Sequence, residues 1–135
     1  MSNVLDTPVV PAPVIALVVD DEPDIRSVVV YVLEKAGFVV HQESEGEAGL
    51  ATAKLLRPDV ILVDWMMPNM SGLDLCRALR ASAELGSAAV ILLTAKAQAS
   101  DVLLGFAAGA QDYIVKPFKP QELAARVQEV LDRVR

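Results

Sequence analysis

The sequence predicts an α/β domain: a five-stranded parallel sheet with helices on both faces. Three observations point there. Five short apolar runs alternate with five segments whose apolar residues recur at helical spacing. The clearest runs, such as those before Asp20 and Asp64, are continuously apolar, as strands buried on both faces are. The connections are short and punctuated by Pro and Gly, which suits strand–helix crossovers.

Residues 1 to 13 (MSNVLDTPVVPAP) carry Pro8, Pro11 and Pro13 without helical periodicity, so an extended or disordered leader is expected, with the domain at 14–135. Ile15 to Val19 forms the first strand and stops at Asp20, Asp21 and Glu22. Pro23 suits a first helical position, and Ile25, Val28, Val29, Val32 and Leu33 keep helical spacing up to the stop signal Gly37. A second strand is expected near Phe38 to Gln42, a helix from Gly46 to Leu56, and a third strand from Val60 to Val63, reaching Asp64. A loop with Pro68 and Gly72 leads to a helix from Leu73 to Ala81. The fourth strand, Ala89 to Leu93, ends at Thr94; a helix covers Asp101 to Ala108; the fifth strand, Tyr113 to Val115, ends at Lys116; Pro120 opens a last helix to Arg135.

With 53% hydrophobic but only 4% aromatic residues, the core must be built from Val, Leu, Ile and Ala. A net charge of -6 disfavours nucleic acid and anionic membranes as direct partners. The apolar runs are far shorter than the ~18 residues of a membrane span. Cys76, the single cysteine, can form no internal disulfide or cysteine-based metal site, and a cytoplasmic location is the default expectation. Met66, Met67 and Met70 read as loop and pocket packing, and His41 as a structural or surface residue.

In open parallel sheets ligands bind beyond the C-terminal strand ends. Those ends carry Asp20 and Asp21, Asp64, Thr94 and Lys116. Gathered carboxylates repel unless a cation sits among them, and magnesium, which favours oxygen ligands, waters and phosphate oxygens, resolves the conflict. Asp64 then suits a carboxylate nucleophile toward phosphorus, Lys116 a cation for the phosphoryl charge and Thr94 a hydrogen-bond donor to it.

The segments VVDDEPDI, VDWMMPNMSG, LLTAKA and GAQDYIVKPF resemble those of bacterial response-regulator receiver domains, over residues 14 to 134. The resemblance implies a flavodoxin-like fold with strand order 2-1-3-4-5, an order for which a receiver protein is a stock example. It implies Asp64 as phosphoacceptor, a magnesium or manganese ion held by Asp20, Asp21, Asp64 and the Met66 backbone carbonyl, and a phosphate-binding and switch set of Thr94, Ala95, Lys116 and Tyr113. A cis Lys116–Pro117 bond is implied as well. The phosphoryl donor would be a sensor histidine kinase or phosphotransfer protein, and the only catalysis that of the domain's own phosphorylation and dephosphorylation.

Two other functions are to be weighed. A magnesium phosphatase of the haloacid dehalogenase type would need a second aspartate two residues after the nucleophile, where Met66 stands. A degenerate receiver used purely for binding should have lost at least one of the five polar residues. For output, the resemblance points to the fourth helix, fifth strand and fifth helix. Val102, Leu104 and Ala108 are expected toward solvent, with Leu103 and Phe106 inward, and Asp112, Glu122 and Arg126 supply charge nearby. Only Asp112 with Arg126 retains a charge pair for self-association, so a monomer or weak dimer that docks a downstream protein is expected.

Overall fold

The computed structural model describes residues 12–134 except 97. Most of the leader expected at residues 1 to 13 therefore lies outside the described residues. The elements are β1 (Ile15–Val19), α1 (Pro23–Lys35), β2 (Val39–Glu43), α2 (Gly46–Leu56), β3 (Val60–Asp64), α3 (Gly72–Ala81), β4 (Ala89–Thr94), α4 (Ala99–Ala107), β5 (Asp112–Val115) and α5 (Pro120–Val134). All strand pairs are parallel, in the order β2-β1-β3-β4-β5.

The strands' two-residue period divides the core into two layers. Ala16, Val18, Val60, Leu62, Ile91 and Leu93 meet Val29 and Leu33 of α1 and Leu123, Val127 and Val130 of α5. Their neighbours Leu17, Val19, Ile61, Val63, Val90 and Leu92 meet Ala53 of α2, Leu75, Cys76 and Leu79 of α3, and Ala108 just after α4. Burying each large aliphatic side chain stabilises the fold by about 1.5–3 kcal/mol, which is how a core nearly free of aromatics suffices. Val28, read as part of the apolar stripe of α1, is half exposed, and Tyr31 is exposed beside it.

Gly37 ends α1 at φ +97, a conformation that only glycine adopts without strain. Helix α3 begins one residue before expectation, because Ser71 and Asp74 form a capping box: the Asp74 N–H donates to Ser71 Oγ at 3.2 Å and the Ser71 N–H to Asp74 Oδ2 at 3.3 Å. The Arg80 guanidinium, near the end of α3, gathers the loops on the far side of the sheet. It donates to the carbonyls of Gly109 at 2.8 Å, Gly86 at 3.0 Å and Ala88 at 2.7 Å, and to Gln111 Oε1, which also accepts from the Val90 N–H. No carboxylate pairs with it in these contacts, and burial lowers its pKa.

Helix α4 corrects the expected facing. Leu103 and Phe106 do not point inward: they are 69% and 45% exposed, alongside Leu104 at 48%. Ala108 is buried rather than exposed, and Val102 packs half-buried against the core. The cause is the small residues. A Cβ on Gly105 would lie 2.9 Å from Leu92 Cδ1 and 3.4 Å from the Tyr113 ring, so the helix approaches the sheet through Gly105 and Ala108 and turns its large residues outward. No helix among the described residues is long and apolar enough to cross a membrane.

Candidate functional site

Parallel register delivers the polar strand ends to one edge. Val19 pairs with Val63, Asp64 with Leu93, and Thr94 with Val115, so Asp20, Asp64, Thr94 and Lys116 emerge side by side. Asp20, Asp64 and Thr94 are all buried. The Asp20 N–H donates to the Glu43 carbonyl at 3.1 Å and the Trp65 N–H to the Leu93 carbonyl at 3.0 Å, which fixes the backbone at both aspartates.

Gly72 lets α3 close on this edge. Its N–H donates to the Trp65 carbonyl at 2.8 Å, and a Cβ there would stand 2.5 Å from the Asp64 carbonyl oxygen. Lys116, beside a cis Lys116–Pro117 bond, reaches back across the edge. Its Nζ lies 3.0 Å from Asp64 Oδ1, 3.3 Å from Asp20 Oδ2 and 3.5 Å from Glu22 Oε1.

Burial raises the Asp20 carboxyl above its ordinary value, with the Glu22 N–H and Lys116 opposing. Burial pushes Asp64 up to about 6, helped by the charge of Asp20 and opposed by Lys116. Burial alone would lower the Lys116 ammonium, but Asp64, Asp20 and Glu22 outweigh it and hold it above its ordinary value. One ammonium thus faces several carboxylates.

Two buried oxygens, Asp21 Oδ1 and Asp64 Oδ2, have no hydrogen-bond partner among the described residues. Oxygens of Asp20, Asp21, Glu22 and Asp64 lie within 4.8 Å of one another. Buried, unpaired acceptors are costly, and an excess of negative charge doubly so. A hard divalent cation that takes one or two carboxylates and fills its shell with water fits this donor set. No hydrogen bond among the described residues engages the Met66 carbonyl, and the Met66 side chain is 63% exposed.

The Thr94 hydroxyl oxygen accepts from the Lys96 N–H at 3.0 Å, leaving its own hydrogen to donate elsewhere. Ala95 beside it is exposed. Tyr113 is buried, its hydroxyl has no hydrogen-bond partner among the described residues, and burial raises its pKa. Its ring meets Trp65 edge to face at 6.1 Å, and Lys96 Nζ sits 5.7 Å from the Trp65 ring centre. Asp112 lies away from this cluster and closes on its own chain. It takes two bonds from Arg126, at 2.9 and 3.1 Å, and a third contact from Arg133 at 3.4 Å. Glu122 is exposed on α5.

Sequence reasoning missed two participants. Glu22 was read only as the end of a strand. Arg26, which donates to the Asp20 carbonyl at 2.8 Å, carries no signal beyond an ordinary surface cation, whereas Lys96, expected at the pocket mouth from its place two residues after Thr94, lies over Trp65. A concavity of about 300 Å³ opens elsewhere, lined by Arg57, Glu84, Leu131 and Val134, and takes no part in this cluster.

Residues 16–128 match the family described as the response regulator receiver domain. The DNA-binding response regulator MtrA of Mycolicibacterium smegmatis is 44% identical over 117 residues, 87% of this chain and 50% of the relative. The alkaline phosphatase synthesis transcriptional regulatory protein PhoP of Bacillus subtilis is 41% identical over 87% of this chain and 48% of its own. The chain thus spans about half the length of such relatives. Among solved structures, the Vibrio cholerae chemotaxis protein CheY4 superposes with a TM-score of 0.85 at 34% identity, over 88% of this chain and 99% of that one. The receiver domain of a Syntrophus aciditrophicus signal transduction histidine kinase gives 0.82 at 35% identity, over 90% and 92%.

Proposed function

Since the chain belongs to the response regulator receiver domain family, we propose that Asp64 is its phosphoacceptor, served by Asp20, Asp21, Thr94 and Lys116. The domain is a phosphoacceptor signalling switch. What carries the assignment of Asp64 is one observation: its buried carboxylate has one oxygen on Lys116 at 3.0 Å and the other without a partner among the described residues.

The phosphoryl donor on this reading is a phosphohistidine of a sensor kinase or phosphotransfer protein. An Asp64 oxygen forms the bond to phosphorus, the N–P bond breaks, and the electron pair stays on the imidazole. Lys116 meets the incoming phosphoryl oxygens, and the Thr94 hydroxyl donates to them. Asp20, Asp21, Asp64 and the Met66 carbonyl would hold magnesium or manganese. When bound, the ion supplies neutralisation of the charge on carboxylates and phosphoryl group. Engagement of Thr94 changes the surroundings of Tyr113, and a pre-existing two-state equilibrium shifts toward the form a partner prefers.

The output surface on this reading is α4, β5 and α5. Its apolar part is Leu103, Leu104 and Phe106 with Val115, all exposed, and Asp112, Glu122 and Arg126 border it. Because Arg126 is held by Asp112 of its own chain, charge pairing between copies is weak, and the partner is a downstream protein. The names of MtrA and PhoP speak of DNA binding and transcription. A net charge of -6 favours output by protein contact for the present chain, as one domain over 14–135 in the cytoplasm.

Trp65, the only tryptophan, tests the reading. Its fluorescence should change on adding magnesium and again on adding beryllofluoride, a phosphoryl mimic. A wild-type response no different from that of Asp64→Asn in both titrations would remove the assignment.

A further inference from the structure

Glu22 has no role in this scheme, yet its position is unusual. It is the N-cap residue of α1, but its side chain makes no capping bond. The carboxylate turns instead to within 3.5 Å of Lys116 Nζ, while its backbone N–H holds Asp20 Oδ1 at 2.9 Å. Pro23 at the first helical position limits the backbone there. Among the three carboxylates on Lys116 it alone faces water: its side chain is 60% exposed, against 0% for Asp20 and 3% for Asp64. It therefore adds negative charge on the exposed side of the cluster, the side from which a phosphoryl donor approaches.

Resting on Asp64 as the phosphoacceptor, we infer that Glu22 is an electrostatic gate: it selects against small, free, anionic phosphoryl donors and tethers Lys116 until a donor displaces it. Acetyl phosphate is a dianion at neutral pH and must approach a cluster of four carboxylates, three of which share one ammonium. A phosphohistidine presented by a protein is held by the contact between two protein surfaces, so a single rim charge weighs less against it. In the reaction with acetyl phosphate an Asp64 oxygen bonds to phosphorus, the bond from phosphorus to the acetate oxygen breaks, and acetate leaves with the electron pair. Glu22 touches none of these atoms. It is a positioning residue that acts on the approach of the donor and on Lys116.

The test is phosphorylation by acetyl phosphate at saturating magnesium, comparing wild type, Glu22→Gln, Glu22→Asp and Asp64→Asn at low and high salt. Removing one unit charge near an approaching dianion should speed Glu22→Gln about threefold to tenfold at low salt. Glu22→Asp keeps the charge and should stay near wild type, and high salt should close the gap by screening. Beryllofluoride binding, followed by Trp65 fluorescence, should tighten in Glu22→Gln by a similar factor. If Glu22→Gln is no faster, or its advantage is indifferent to salt, while wild type is still labelled at Asp64, the gate is overturned and the phosphoacceptor stands. Wild type labelled no more than Asp64→Asn overturns both.

Discussion

Replacing Asp64 by Asn should stabilise the metal-free protein, and the gain should appear only as pH rises toward neutrality. The Asp64 side chain is 3% exposed and shares Lys116 with Asp20. Its carboxyl is pushed from 3.8 up to about 6 by burial, with Asp20 adding to the effect. The folded protein thus binds this proton more tightly than the unfolded chain does. The stability it contributes is complete below the unfolded value of 3.8 and is lost as pH rises through about 6. That difference corresponds to about 3 kcal/mol. Asn removes the charge but also the ionic partner of Lys116, so a net gain of about 1–3 kcal/mol is expected near pH 8, raising Tm by roughly 3–10 °C. Near pH 4 the two proteins should melt together. Asp20, also raised, remains in both, but its repulsion with Asp64 is lost in the variant and forms part of the expected gain. The assay is thermal unfolding with a chelator present, followed by circular dichroism. A difference in Tm that is the same near pH 4 and pH 8, or an Asn variant that is the less stable near pH 8, would refute the electrostatic account of this pocket.

Two further outcomes follow from neighbouring residues. Met66 is exposed and offers no hydrogen bond to align an attacking water, and Lys96 is engaged over Trp65, so Met66→Asn should hydrolyse its aspartyl phosphate severalfold faster; loss of label after donor removal measures this, and an unchanged or slower rate would sink the explanation. For the output face, ultracentrifugation of the beryllofluoride-bound protein should show at most weak self-association that Leu104→Asp reduces; a tight dimer abolished by Arg126→Ala but untouched by Leu104→Asp would show that charges carry the assembly.

The strands were legible because β1, β3 and β4 are buried along nearly their whole length, so unbroken Val, Ile and Leu runs could only be interior strands. Their polar ends then located the site, since the C-terminal edge of a parallel sheet is set by topology alone. The facing of α4 was not legible. Hydrophobicity ranks Leu103 and Phe106 above Gly105, but the helix lies so close to the sheet that a Cβ on Gly105 would stand 2.9 Å from Leu92 Cδ1. The Asp112–Arg126 pair was visible as a pair, but whether it closes within one chain depends on how α5 lies against β5. Arg80 was invisible for a simpler reason: three of its four acceptor residues offer backbone carbonyls, which every residue possesses.

That clamp has a mechanical consequence. Arg80 Nε holds the Gly109 carbonyl just past the end of α4, where Gly109 adopts φ +107, while Gln98 at the other end makes no side-chain cap. A pivot about that held end would make the helix a lever. Nine residues rising 1.5 Å each make an arm of about 13 Å, so a pivot of about 10° carries the free end roughly 2 Å and the pinned end hardly at all. The free end is the one that follows Thr94. Travel is largest where a phosphoryl group would pull and tapers along Leu103, Leu104 and Phe106, so a partner spanning that strip would feel a tilt rather than a translation.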